Sequence, residues 1–525
     1  MGEFIGRVTS VSGAQVTAEL EGEGGEIGTG APVKIACADG EVVGAVSALE
    51  SADGSRPRGL LVVDLLGELT LLPEGGVQFV RGVSHTPHVG ALVRPASQAD
   101  LDAVYNPAAG TALRLGSLHQ DPRRPALALM DELLAKHFGI VGSTGSGKSC
   151  AVTVVLSNIL ARHPDAHIVL LDPHNEYTSA FGPLAEIIDI DNLQLPLWLL
   201  NFEEAVRVLV RGGDAHDQEA QAMILRDAIT RARRHFAGEE FAAASLTVDA
   251  PVPYRVFDLL RFVYDAMGKL DKPDTSIPYL RLRTRLESLR DDRRFAFMFS
   301  EGFVVKDALA SIIGRFLRIP AEGKPLSILD LSGIPSEIVD VVVSLSCRII
   351  FDFALWCERE RKPPILVVCE EAHRYVPTDA GTGFAAAARA ITRIAKEGRK
   401  YGVSLALVSQ RPSELSAQAL SQCGTIFALR LANEADQRYV ASLLPEAAQG
   451  MLAALPSLET QEAIASGQGV PLPMRIRFDD LPADRRPRSG AAEFSRAWKS
   501  EPVGAEFVEE TVRRWRAQSR ARPSA

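Results

Sequence analysis

This sequence contains few cysteines, only short uninterrupted hydrophobic runs and a small net charge. Its 525 residues contain six cysteines, and no two of them form a Cys-x-x-Cys pair. The spacing therefore does not indicate a disulfide framework or a zinc site, and buried reduced thiols are expected. The formal charge of −9 is small for this length. It argues against a histone-like protein that coats nucleic acid with its whole surface, although a basic channel remains compatible with it.

The hydrophobic runs are too short to indicate a membrane protein. The longest, Val339 to Trp356, is interrupted by Arg348 and Asp352, which is typical of a buried helix and not of a bilayer span. The N-terminus has no apolar segment of the kind that a signal peptide needs. The sequence therefore predicts a cytoplasmic protein without a membrane segment.

What the sequence does contain is typical of a globular protein with several domains. Hydrophobic residues make up 46% of the chain and charged residues 23%, which excludes general disorder. The length is enough for roughly three ordinary domains. Residues 1–90 consist of short β-rich runs separated by turns that contain glycine and proline. This pattern predicts a small N-terminal β-barrel or sandwich.

Strands and helices begin to alternate near residue 130, which predicts an α/β fold. The predicted strands there carry apolar side chains on both faces, as in a parallel sheet that helices cover on both sides. A helix is predicted over Ser149–His163. The predicted strands are His137–Val141, Ile168–Asp172, Leu326–Asp330, Ile365–Cys369, Leu405–Ser409 and Ile426–Leu431.

Two further segments complete the predicted organisation. Residues 201–320 are more charged and carry helical spacing, so we interpret them as a helical insertion in the core. Residues 481–525 are rich in arginine and predict a peripheral C-terminal arm with a short helix around Phe507–Trp515. The predicted order is barrel (1–90), first part of the core (91–200), helical insertion (201–320), second part of the core (321–480) and arm (481–525).

The sharpest local signal is a phosphate-binding loop, Gly-Ser-Thr-Gly-Ser-Gly-Lys-Ser, between a predicted strand and a predicted helix. Its glycines let the backbone N–H groups surround phosphates, and the following helix points its positive end at them. Lys148 would reach the β- and γ-phosphates of ATP, and the Ser149 hydroxyl would bind Mg²⁺. We expect nucleotide contacts from Gly142, Ser143, Thr144, Gly145, Ser146, Gly147, Lys148, Ser149 and Cys150.

Two adjacent glutamates follow the strand Ile365–Cys369. Successive side chains of a strand point to opposite faces, so Glu370 and Glu371 need not have the same role. We predict that Glu370 lies on the metal side and that Glu371 activates the attacking water. The alternative, a solvated strand end with paired acids, is disfavoured by the preceding phosphate-binding loop.

Other polar residues stand near predicted strand ends. Asp172 ends a strand that we expect beside the phosphate-loop strand, where it would orient Mg²⁺ or water; the alternative is a helix N-cap. Gln410 follows another strand and could sense the γ-phosphate. Arg393 and Arg399 belong to a basic helix end. Either could stabilise a neighbouring subunit's transition state, or both could be surface cations at a helix C-terminus.

These motifs together resemble the HerA family of hexameric DNA translocases, in the larger HerA/FtsK group of P-loop ATPases. The resemblance covers most of the chain. The Glu-Glu-Ala-His and Asp-Leu-Ser-Gly-Ile-Pro-Ser segments are more specific than the phosphate loop. The segments that carry the resemblance are HFGIVGSTGSGKS (137–149), LLDPHNEY (170–177), LPLWLLNFEE (195–204), ILDLSGIPSEIVDVVVSLSCRIIFDF (328–353), VCEEAHRYVP (368–377), IAKEGRKYG (394–402), SQRPS (409–413) and LSQCGTIFALRLANEADQRY (420–439).

The resemblance implies a RecA-like core, an N-terminal barrel of the type shared by HerA and ATP synthase, a helical insertion and a C-terminal arm that braces the neighbour. It implies ATP and Mg²⁺ as cofactors, Glu371 as catalytic carboxylate and Gln410 as sensor. Arg399 is its first choice for the arginine that acts in trans, and Arg393 its second. Glu370 stands where the wider group usually has aspartate.

The resemblance also implies a homo-hexamer that moves on double-stranded DNA. A partner nuclease or sirtuin-type NADase would then act beside it, in DNA end processing or anti-phage defence. An alternative from another class is a nucleotide-regulated hexameric scaffold that controls an effector with little DNA movement. A membrane-anchored conjugation motor is disfavoured, because no transmembrane segment is evident.

Overall fold

A computed structural model describes most of the chain and allows these expectations to be compared with a three-dimensional arrangement. Parts of the predicted helical insertion and C-terminal arm lie outside the described residues. The described residues are 4–21, 27–37, 40–51, 59–71, 77–105, 112–238, 246–268, 273–299, 308–334, 336–378, 384–488, 498–499 and 504–516.

Eighteen strands and sixteen α-helices are described, besides several short 3-10 helices. The strands are β1 (Gly6–Ser12), β2 (Gln15–Leu20), β3 (Pro32–Cys37), β4 (Gly40–Ser51), β5 (Gly59–Leu71), β6 (Val77–Arg81), β7 (Leu92–Pro95), β8 (Ala112–Leu118), β9 (Pro125–Leu129), β10 (Phe138–Val141), β11 (His167–Asp172), β12 (Ala185–Ile188), β13 (Leu326–Asp330), β14 (Ile365–Cys369), β15 (Val403–Ser409), β16 (Thr425–Leu429), β17 (Glu462–Gly467) and β18 (Met474–Phe478). The helices are α1 (Gln98–Tyr105), α2 (Met130–Ala135), α3 (Lys148–Arg162), α4 (Thr178–Phe181), α5 (Phe202–Leu209), α6 (Ala215–Ala237), α7 (Val256–Met267), α8 (Pro273–Asp291), α9 (Ala296–Phe299), α10 (Leu309–Leu317), α11 (Ser336–Trp356), α12 (Ala385–Glu397), α13 (Ala417–Leu420), α14 (Glu434–Leu443), α15 (Glu446–Leu452) and α16 (Ala505–Arg516).

The N-terminal strands form a closed six-stranded barrel, so the prediction of a barrel is confirmed. Its strand order is β2-β1-β7-β3-β4-β5, and pairing between β2 and β5 closes it. β6 extends the sheet as an antiparallel partner of β5. The barrel includes β7, which lies beyond residue 90. Val8, Val16, Ile35, Leu61 and Val93 are among the residues that fill its interior.

The second sheet has eleven strands in the order β12-β13-β11-β14-β15-β10-β16-β17-β18-β8-β9. The first seven are parallel, and the last four are antiparallel. The order β11-β14-β15-β10-β16 is that of a RecA-like core, which confirms the predicted α/β class. All carboxyl ends of the parallel strands meet at one edge of the sheet, where such folds bind their ligands.

The parallel strands are buried on both faces because their side chains alternate between two hydrophobic clusters. Ile168 and Leu170 of β11 pack into the cluster that contains α3. Val169 and Leu171 pack into the other cluster, with α11 and α12. Helices α5 to α8 and α10 pack into that second cluster as well. The predicted helical insertion therefore forms one face of the ATPase core.

The barrel packs directly against the ATPase sheet. Val43 and Leu66 of the barrel share a small apolar cluster with Leu472, which lies between β17 and β18. Arg81 of β6 donates a hydrogen bond of 2.5 Å to the carbonyl oxygen of Gly467. In the described part of the chain, no helix has both the length and the hydropathy that crossing a bilayer requires.

Candidate functional site

The phosphate-binding loop connects β10 to α3 at the carboxyl edge of the sheet. Gly145 and Gly147 have φ angles of 74° and 98°, which L side chains rarely adopt. A Cβ atom on Gly147 would also lie 2.9 Å from the backbone nitrogen of Gln461. The loop conformation therefore requires glycine at this position. No side chain caps the N-terminus of α3, which begins at Lys148.

Contacts within the loop hold its lysine and polar side chains in place. Lys148 is 5% exposed, and its ammonium group donates a hydrogen bond of 3.1 Å to the carbonyl oxygen of Ser143. Thr144 donates its hydroxyl proton to Gln410 Oε1. Ser146 is fully buried, and its hydroxyl has no hydrogen-bond partner among the described residues. Cys150 is half-buried in the first turn of α3.

Glu370 follows β14, and its side chain is buried against the loop that precedes α4. Its Oε2 atom accepts a hydrogen bond of 2.7 Å from the Tyr177 hydroxyl. Burial raises the pKa of Glu370 to about 8, and the neighbouring carboxylates of Glu371 and Glu176 add to this rise. The Tyr177 hydrogen bond and the Lys148 charge act in the opposite direction. Glu370 is thus anchored by Tyr177 in an environment where a further cation would favour its ionised form.

Glu371 points its carboxylate toward the end of β15. Its φ angle of 52° turns the chain sharply after β14. Gln410 donates from Nε2 to Glu371 Oε1. Oε2 of Glu371 lies 3.3 Å from His373 Nδ1, and it has no hydrogen-bond partner in the described structure. The residues that we expected to act as base and sensor are therefore in contact, and one carboxylate oxygen has no hydrogen bond among the described residues.

Lys148 and the carboxylates form one electrostatic group. Burial lowers the pKa of Lys148, whereas the charges of Glu370, Glu371 and Glu176 raise it. The structure thus brings together the predicted residues Lys148, Ser149, Glu370 and Glu371. Gln410 contacts this group through its hydrogen bond to Glu371.

Asp172 ends β11 beside Glu370, but the expected position of its strand is wrong. β11 is not beside the phosphate-loop strand, because β14 and β15 lie between β11 and β10. Asp172 is fully buried and accepts backbone hydrogen bonds of 3.2 Å from His174 and 3.0 Å from Tyr177. Burial raises the pKa of its carboxyl group. The carboxylate fixes the turn after β11, but it does not cap α4, which has no side-chain cap. Its predicted role of orienting Mg²⁺ or water stays a prediction.

Arg393 and Arg399 are both remote from the phosphate loop of their own chain. Arg393 lies on α12, where its guanidinium stacks 4.1 Å from the centre of the Phe351 ring and lies 3.7 Å from Asp352 Oδ1. Arg399 is exposed in the turn between α12 and β15. It precedes β15, whereas Gln410 follows that strand. The seven residues of β15 therefore separate Arg399 from the site by about 20 Å.

Three residues at the site were not singled out from the sequence, namely Glu176, Tyr177 and Arg430. Ser149 donates its hydroxyl proton to Glu176 Oε2 at 2.6 Å, and Tyr177 anchors Glu370. Arg430 follows β16, and its guanidinium lies 3.4 Å from the carbonyl oxygen of Gly145. The segment LLDPHNEY contains Glu176 and Tyr177, so the motif pointed to this loop without revealing which side chains reach the site.

These residues fit ATP and Mg²⁺. The loop offers a buried lysine, an uncapped helix N-terminus and an unpartnered serine hydroxyl, which suit phosphate oxygens. No cluster of three or more histidine, cysteine, aspartate or glutamate side chains suitable for a metal occurs among the described residues. The Ser149 hydroxyl and the Glu370 carboxylate are oxygen donors of the kind that Mg²⁺ binds together with phosphate and water oxygens. The fold and the site define a P-loop ATPase.

Comparisons with known proteins show which P-loop ATPases this chain resembles. Residues 113–350 match the family model of the helicase HerA central domain. The DNA double-strand break repair helicase HerA of Pyrococcus furiosus is 25% identical over 442 residues, which cover 77% of this chain and 75% of the relative. HerA of Sulfolobus acidocaldarius is 28% identical over 397 residues, covering 75% and 74%. This chain is thus similar to the HerA helicases over about three quarters of its length.

Among solved structures, VirB4 of Thermoanaerobacter pseudethanolicus matches with a TM-score of 0.49 and 17% identity. The match covers 71% of this chain and 98% of that chain.

The different surroundings of the two glutamates lead to a prediction. We expect Glu371→Gln to bind Mg²⁺·ATP but to hydrolyse it about 10²-fold more slowly or worse, because an amide cannot take a proton from water. Glu370→Gln should instead weaken nucleotide binding in Mg²⁺, because the anchored carboxylate is lost. Equilibrium binding and steady-state turnover of both variants provide the measurement. A stalled Glu370→Gln together with an active Glu371→Gln would reverse the two roles.

Proposed function

We propose that this chain is an ATP-driven motor that moves along double-stranded DNA as a homo-hexamer in the cytoplasm. The observation that carries the proposal is the position of Arg399, at the edge of the sheet opposite the phosphate loop. An ATPase that needs this arginine must receive it from another subunit. A closed ring supplies every site with one such arginine.

The proposed roles follow from the contacts at the carboxyl edge of the sheet. Lys148 binds the β- and γ-phosphates, and Ser149 and Glu370 face the metal. Mg²⁺, when bound, neutralises charge on the phosphate oxygens. Glu371 takes a proton from the attacking water through its Oε2 atom, and Gln410 holds the other oxygen. Because Gln410 also contacts Thr144 of the loop, it can report the state of the γ-phosphate to β15.

The surroundings of the two candidate arginines favour Arg399 as the residue that acts in trans. The Arg393 guanidinium is occupied by Phe351 and Asp352. Arg399 is exposed, and no carboxylate lies within ion-pair distance of it in the described part of the chain. Arg430 is the competing candidate in cis, since it lies at the loop of its own subunit. Its guanidinium is directed at the backbone oxygens of Gly145 and Leu458.

The assignment of DNA as the track rests on the relatives, which are named as helicases of double-strand break repair. That name fits a role in DNA end processing. We further propose that a partner chain, a nuclease or a sirtuin-type NADase, supplies the effector chemistry, in end processing or in anti-phage defence.

Movement on DNA predicts displacement of a third strand. The chain alone, with ATP and Mg²⁺, should strip a triplex-forming oligonucleotide from linear duplex DNA, because a motor that advances on the duplex must remove what blocks it. The released oligonucleotide is measured on a native gel. Binding to the duplex should weaken about 10³-fold or more between 50 and 200 mM salt, if six or more phosphates are contacted.

A non-hydrolysable ATP analogue provides the matched control and should release no third strand. Steady ATP hydrolysis on duplex DNA without any displacement would contradict translocation. It would favour the nucleotide-regulated scaffold instead.

The ring predicts rescue between two inactive variants. Arg399→Ala should hydrolyse ATP about 10³-fold more slowly although its own phosphate loop is intact, as with other arginines supplied in trans. Mixing it with Lys148→Ala subunits should restore part of the turnover. A mixed ring contains some interfaces with an intact loop and an intact arginine, whereas neither pure ring does. The measurement is turnover against the ratio of the two variants.

Lys400→Ala is the matched control, because Lys400 is the exposed cation next to Arg399 in the same turn. It should keep wild-type turnover. If the mixture shows no rescue at any ratio, Arg399 is not the arginine in trans. Either Arg393 would then take that role, or Arg430 would act in cis.

A further inference from the structure

The loop between β11 and α4 is fixed by hydrogen bonds at both of its ends. Asp172 accepts the backbone N–H groups of His174 and Tyr177, and Asn175 has a φ angle of 54°. The carbonyl oxygen of Glu176 accepts a hydrogen bond of 3.0 Å from the backbone N–H of Arg488. The backbone of this loop is therefore held from two sides, by β11 and by the segment that follows β18.

Two side chains of this loop reach the residues that face the metal. Tyr177 donates its hydroxyl proton to Glu370, as described above. Glu176 Oε2 accepts the hydroxyl proton of Ser149 at 2.6 Å, a distance within the usual range of O–H···O hydrogen bonds. Glu176 also contributes to the electric field at Lys148. One loop thus supplies a partner for each of the two protein groups that face the metal.

We propose that Glu176 is a positioning residue for Mg²⁺ binding, acting through Ser149. This inference rests on the ATPase assignment above. A hydroxyl group that binds a cation must direct a lone pair at the ion and its proton elsewhere. The Glu176 carboxylate accepts that proton, so the Ser149 oxygen is already oriented for the ion. Partners of this kind fix ligand orientation in metal sites, and their loss lowers metal affinity about 10- to 100-fold.

The geometry makes the contribution of Glu176 specific to the metal. Its carboxylate contacts Ser149, whereas Lys148 is hydrogen-bonded to Ser143. Removing the Glu176 side chain keeps the hydrogen bond of Lys148, the glycine-rich backbone and the N-terminus of α3, and it takes away only the smallest of the three carboxylate contributions at Lys148. Nucleotide binding that needs no metal should therefore survive the change.

The test compares the affinity for a fluorescent ADP analogue in Mg²⁺ and in EDTA. The wild-type chain should bind more tightly in Mg²⁺, and Glu176→Ala should lose about 10-fold or more of this tightening while binding in EDTA stays unchanged. Glu176→Gln should lose less, since its amide oxygen can still accept the proton. Glu360→Ala, at an exposed carboxylate before β14, is the matched control and should behave as wild type.

A double substitution tests whether Glu176 acts through Ser149. Ser149→Ala already lacks the hydroxyl group, so adding Glu176→Ala should cause no further loss of the Mg²⁺ effect. Three outcomes would overturn the proposal: an unchanged Mg²⁺ effect in Glu176→Ala, an equal loss in Mg²⁺ and in EDTA, or a further loss in the double variant. A wild-type chain that binds no ADP would contradict the ATPase assignment itself, which distinguishes the two failures.

Discussion

A lysine ammonium buried among three carboxylates is the interaction on which the candidate site depends. Burial disfavours the charge on Lys148 and lowers its pKa, and Glu370, Glu371 and Glu176 offset part of that cost. The sheet makes the arrangement possible, because β14 and β11 end at the same edge as the phosphate loop. The hydrogen bonds from Tyr177 and Gln410 then give the two adjacent glutamates different surroundings.

The position of β15 connects the site to the proposed ring. Gln410 follows this strand and contacts both Glu371 and the phosphate loop, whereas Arg399 precedes it at the opposite edge. β15 is fully buried between β14 and β10. In a ring, this strand would link the nucleotide state of one subunit to the arginine that it offers to its neighbour.

The sequence predicted the parts of the protein that local patterns encode. The phosphate loop and the apolar runs that became β13, β14 and β15 were evident because glycine spacing and strand-length hydrophobic segments are local signals. The strand order is not a local signal, so Asp172 was expected beside the phosphate-loop strand. Glu176 was missed because its contact with Ser149 depends on the left-handed turn at Asn175 and on packing of the loop.

The antiparallel strands β8, β9, β17 and β18 were also missed. They complete the sheet on the side away from β11. β8 pairs with β18, more than three hundred and fifty residues further along the chain, and no short pattern reports a pairing of that range. The barrel was recognised from its frequent turns, yet its last strand, β7, follows a long connection after β6. Its membership in the barrel is visible only from its pairing with β1 and β3.

The central claim is that this phosphate loop hydrolyses ATP to act on duplex DNA. The most direct measurement is the ATP turnover of the wild-type chain and of Lys148→Ala, each with and without linear duplex DNA. We expect duplex DNA to accelerate turnover by the wild-type chain, and Lys148→Ala to stay at background in both conditions. Wild-type turnover by Lys148→Ala, or a wild-type rate that duplex DNA leaves unchanged, would contradict this account.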